Sequence, residues 1–64
     1  MRLTDFWRRM GLVFGEAYAR SWATDVVVSE LDGRTVDEAL AAGVPAKDVW
    51  RAVCRTVEVP RSLR

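Results

Sequence analysis

Residues Gly33 to Val57, GRTVDEALAAGVPAKDVWRAVCRTV, carry the strongest local instructions in this 64-residue chain. Thr35 is followed three residues later by Glu38. That spacing is a capping box: the hydroxyl accepts from a free N–H of the first helical turn, and the carboxylate reaches back to the N-cap N–H. Asp37 and Glu38 also place negative charge at the positive end of a helix. Gly43 can take the left-handed conformation that closes a helix, and Pro45 fits the first turn of the next one, where its missing N–H has no partner to lose. These signals predict helices over residues 35–42 and 45–56, a helical hairpin.

Two helices meeting at a glycine invite a DNA-reading interpretation. Ala39, Gly43 and Val49 resemble the small, glycine and β-branched positions of a helix-turn-helix, with Val44 and Ala52 as buried positions. Glu38 stands where that motif needs a core-facing residue. On a 3.6-residue wheel Ala46, Val49, Trp50, Val53, Cys54 and Val57 form one apolar stripe, which puts Trp50 in the core. DNA reading would turn Trp50 outward with Lys47 and Arg51. We therefore expect a hairpin that buries its tryptophan, with helix-turn-helix DNA binding as the alternative.

Upstream, Leu3, Phe6, Trp7, Met10, Val13 and Phe14 recur at three- and four-residue steps, the spacing of one helix face. Thr4 is the expected cap, Gly11 an interior weak point that permits a close crossing, and Gly15 the end of the helix. Residues 16–31 are expected to form the next helix, with Tyr18, Ala19, Trp22, Ala23 and Val26 as its stripe. The run Val26–Val28 prefers a strand locally, but no second strand-like run exists to pair with it, so a helix is expected there too. Pro60 stops any continuation beyond Val57, and a short turn through Leu63 would close the open end of the core. The expected fold is all-α: one domain, a bundle of three to four short helices over 4–14, 16–31, 35–42 and 45–56.

A chain this short gains only about 3–5 kcal/mol from a single core. One cysteine and no histidine leave no disulfide framework to help it. The same absence removes any Ser-His or Cys-His pair. Cys54, on the apolar stripe, reads as a buried and inert thiol. Asp37 and Glu38 read as helix-start charges and not as an acid–base pair. No metal-ligand spacing and no phosphate loop are present, so neither an enzyme nor a cofactor is expected.

Ten basic residues against nine acidic ones give a net charge of +1, too little for strong non-specific attraction to nucleic acid or to an anionic membrane. No apolar run is long enough to span a bilayer, the start lacks a signal-peptide pattern, and the lone cysteine suits a reducing compartment, so a cytoplasmic protein is expected. Trp7, Trp22 and Trp50 fall one to each of three helices and are expected to meet in the core. In so small a domain, a partly exposed indole beside an arginine would serve as an interface anchor. Arg2, Arg8, Arg9 and Arg20 would form a basic face if the first two helices pack side by side. The candidate contact residues are Arg8, Arg9, Lys47, Trp50 and Arg51. The first expectation is an unknown protein partner, the second nucleic acid, and the third self-association.

MRLTDFW at Met1–Trp7, GRTVDEAL at Gly33–Leu40 and VWRAVC at Val49–Cys54 together resemble a small domain-of-unknown-function family from actinobacteria, over nearly the whole chain. That resemblance implies a short helical protein often encoded beside the recombinase of homologous recombination and its small regulator. It implies a link to DNA repair or its control, and it assigns no role to any residue.

Overall fold

The computed structural model describes residues 1–64. Its elements in chain order are α1 (Leu3–Phe14), α2 (Glu16–Asp25), β1 (Val27–Val28), β2 (Arg34–Thr35), α3 (Val36–Ala41) and α4 (Ala46–Thr56). Single 3-10 turns at Ser29–Leu31 and Arg61–Leu63 complete the chain. No helix is long and apolar enough to cross a membrane.

The fold is mostly helical but not all-α. α2 ends at Asp25, not at residue 31, and the valine run leaves the helix. Val27 pairs with Thr35 and Val28 with Arg34 in a two-stranded antiparallel ribbon. The expectation of a helix failed because it looked for a strand-like partner. A pairing two residues long asks for no such run. Its turn is made by Asp32 and Gly33, both at positive φ (60° and 75°), and its support comes from burial: Val28 is fully buried while Val27 is 61% exposed. An isolated ribbon of this length would not persist in water; packed against α4, it does.

The central hairpin forms as its residues dictate. The Thr35 hydroxyl accepts from the Glu38 N–H at 3.1 Å, and the Thr35 N–H donates to Glu38 Oε1 at 2.9 Å. α3 closes through two bonds: Val44 N–H to Ala39 O at 3.0 Å and Gly43 N–H to Leu40 O at 3.1 Å. This is the paired closure that needs a left-handed residue, and Gly43 supplies it at φ 92°. Pro45 sits just outside α4 as its N-cap, one place earlier than expected. α1 starts at Leu3 with Arg2 as N-cap, so Thr4 is not the cap. α2 folds back onto α1 at Gly15, and Glu16 Cγ comes within 3.4 Å of where a Cβ on Gly11 would stand. That is the close approach Gly11 permits.

The core joins all four helices and the ribbon. Phe6 and Met10 of α1, Val28 of β1, Val36 of α3, and Val49 and Val53 of α4 are fully buried. The three tryptophans join one core cluster, Trp22 and Trp50 buried in it and Trp7 half-buried against it, but each beside a phenylalanine. Trp50 packs edge-on to Phe6 at 6.0 Å, Trp7 edge-on to the same ring at 5.2 Å, and Trp22 stacks on Phe14 at 4.5 Å. Each indole takes a phenylalanine neighbour, an arrangement that matches the ring quadrupoles. No buried side-chain nitrogen or oxygen lacks a partner.

Candidate functional site

Beyond α4 the chain turns at Pro60 and lays its last residues across the end of the bundle. Val59 is buried there and Leu63 half-buried against the core. The Leu63 carbonyl accepts from the Trp50 indole N–H at 3.1 Å and from Arg9 Nη1 at 3.5 Å. The Arg64 Nε donates to the Val59 carbonyl at 3.2 Å. The terminal turn therefore satisfies the one polar atom of a buried indole and fixes a guanidinium beside it.

Next to this turn lies a surface cleft of about 350 Å³, lined by Trp50, Arg51, Cys54, Arg55 and Arg64. A second hollow of about 420 Å³, lined by Glu58, Val59, Pro60, Arg61 and Arg64, adjoins it on the far side of Arg64. Arg51 and Arg55 are four residues apart on one face of α4, so their side chains emerge about one helical turn apart. Arg51 lies 3.9 Å from Asp48, and Arg55 lies 3.4 Å from Glu30. Both pairs are exposed, a setting in which an ion pair contributes little. Arg9, Arg61 and Arg64 have no carboxylate within salt-bridge distance.

Cys54 is half-buried at the cleft floor. Burial pushes its thiol pKa above the ordinary value, while the positive charges of Arg64 and Arg9 pull the other way and do not win. The thiol stays protonated at neutral pH. A protonated thiol without a base is a poor nucleophile. The cleft can hold an anionic group and an apolar stem; it has no residue to activate a nucleophile.

The structure brings together three of the five residues singled out from the sequence. Arg9, Trp50 and Arg51 converge on the terminal turn. Arg8 does not join them: it is exposed on α1, 3.8 Å from Asp5. Lys47 is exposed at the start of α4 and lines neither hollow. Trp50 is only 3% exposed, so its face is not offered as an anchor. Trp7 is half-buried, and Arg20 of α2, not Arg8, stacks on it at 3.7 Å. The proposed face of Arg2, Arg8, Arg9 and Arg20 is thus divided: Arg20 covers Trp7, Arg8 pairs with Asp5, and Arg9 turns to Leu63. Arg55, Arg61 and Arg64 were missed. For Arg55, the signal was its position four residues after Arg51. For the other two it was Pro60, which turns the tail back toward the core.

Over residues 1–62 the sequence matches DUF3046, a family described as a protein of unknown function. The chain belongs to that family. No curated protein and no solved structure matches it.

Proposed function

We propose that this DUF3046 chain is a small non-catalytic module of the cytoplasm that binds a protein partner and serves DNA metabolism. One observation carries the reading: an arginine-bordered cleft at the junction of α4 and the terminal turn, lined by Trp50, Arg51, Cys54, Arg55 and Arg64. Arginine favours planar, paired contacts with carboxylate or phosphate. The gene neighbourhood implied by the sequence resemblance supports the link to DNA metabolism. The test is capture from native extract with the intact chain and with its Arg51→Glu/Arg55→Glu variant, compared by quantitative mass spectrometry. A protein retained by the first and lost by the second supports the reading. Identical captured sets would sink it.

The hairpin from Thr35 to Thr56 supports a second reading, duplex binding, because Lys47 and Arg51 are exposed on α4. Measured against random duplex at two salt concentrations, that reading requires affinity that falls steeply with salt and drops on Arg51→Ala. No binding at low salt removes it.

A further inference from the structure

Resting on the reading of the chain as an interaction module, we propose that the cleft between Arg51, Arg55 and Arg64 receives a glutamate-bearing, acidic segment of a protein partner. Three features of the cleft select that occupant. First, its rim is cationic and its floor is not. Of its lining residues Arg51, Arg55 and Arg64 are exposed, while Trp50 is buried and Cys54 half-buried. A glutamate side chain has both matching parts, a carboxylate for the rim and methylenes for the floor.

Second, two of the rim guanidiniums already hold carboxylates of this chain, Asp48 on Arg51 and Glu30 on Arg55. Both contacts are solvent-exposed; the first is an ion pair at 3.9 Å without a hydrogen bond, and in the second Arg55 donates to Glu30 at 3.4 Å. A partner carboxylate can take their place at little cost, and two such groups about one helical turn apart would meet Arg51 and Arg55 together. Arg64, held by the Val59 carbonyl, needs no reorientation and has no internal acid to release.

Third, the site is concave and its charge is interrupted. A duplex is read by an element that protrudes into its groove, whereas a cleft accepts a group that protrudes from its partner. Asp48, Glu30 and Glu58 stand beside the arginines. A continuous polyanion, with a charge about every 1.7 Å, must run past all three. Discrete carboxylates on a peptide can be placed between them.

The experiment is calorimetric titration of the intact chain with a short peptide alternating glutamate and leucine, with its glutamine counterpart, and with random duplex. Saturable one-to-one binding of the glutamate peptide is expected, weakened by salt, with no measurable binding of the glutamine peptide. Arg55→Gln and Arg64→Gln should each weaken binding about tenfold or more, the loss expected for one hydrogen bond to a charged group. Equal binding of both peptides, insensitivity to both substitutions, or tighter binding of duplex would overturn the proposal. Should a variant melt early, the comparison of the two peptides on the unmodified chain decides alone. Partner capture that depends on Arg51 and Arg55, without glutamate-peptide binding, would leave the module reading standing and remove this one. If capture is also insensitive to those residues, both fall.

Discussion

Replacing Trp50 by phenylalanine isolates the bond that ties the terminal turn to the core. The indole is buried, and its N–H donates to the Leu63 carbonyl at 3.1 Å. The substitution removes that donor, at about 1 kcal/mol for a net hydrogen bond. It also leaves a void of roughly 40 Å³, which at about 24 cal/mol per Å³ costs about another 1 kcal/mol. The sum, about 2 kcal/mol, is a large share of the roughly 3–5 kcal/mol a domain of this size holds. At about 4–8 °C per kcal/mol, Tm should fall by roughly 8–16 °C, read by far-UV circular dichroism. A double-mutant cycle separates the two terms. In a chain lacking Leu63 and Arg64, the same substitution has no acceptor to lose and should cost only the void, a coupling of about 1 kcal/mol. Additive effects in that cycle would refute the claim that the indole holds the turn.

Thr35→Ala removes the hydroxyl that accepts from Glu38 N–H and should cost about 1 kcal/mol, while Thr35→Ser should keep most of the stability; equal melting of the two variants would remove the capping box as a determinant. Gly43→Ala should cost about 1 kcal/mol through its backbone alone, since φ is 92° and nothing lies within 4 Å of the added Cβ; an unchanged melting temperature would contradict the left-handed closure of α3. Cys54 should react with iodoacetamide more slowly than an unstructured thiol, with its pH–rate profile displaced to higher pH, because burial raises its pKa. The sign for stability follows: the folded state favours the protonated thiol, so its contribution is intact below the ordinary thiol pKa and is lost as pH rises through the folded one. A profile displaced to lower pH would mean that Arg64 and Arg9 win over burial.

What was legible in the sequence was local. The Thr35–Glu38 box, Gly43 and the α4 stripe each depend on residues within a turn of one another, and each formed. So did the turn through Leu63, because Pro60 leaves the tail few alternatives. The ribbon was not legible. Arg34 and Thr35 have no strand signature, and Thr35 was already accounted for as a helix cap; it does both, pairing with Val27 while capping α3. The aromatic neighbours were not legible either, since helical wheels place three indoles inward without saying which phenylalanine each one meets. Of the site, Arg51 and Trp50 were visible through the α4 pattern. The approach of Arg9 to Leu63 was not, because it spans 54 residues of chain and depends on the crossing of α1 with α4. Arg8 and Arg9 look equivalent in sequence, yet adjacent helical positions point about 100° apart, and only Arg9 reaches the Leu63 carbonyl.

Mapping by backbone amide NMR during titration with the glutamate–leucine peptide tests the central claim most directly. Shifts concentrated at Arg51, Cys54, Arg55 and Arg64, with the Trp50 indole N–H moving alongside them, are the predicted result. Shifts centred on Lys47 and the start of α4, or at the α1–α2 corner, would place the binding surface elsewhere and contradict it.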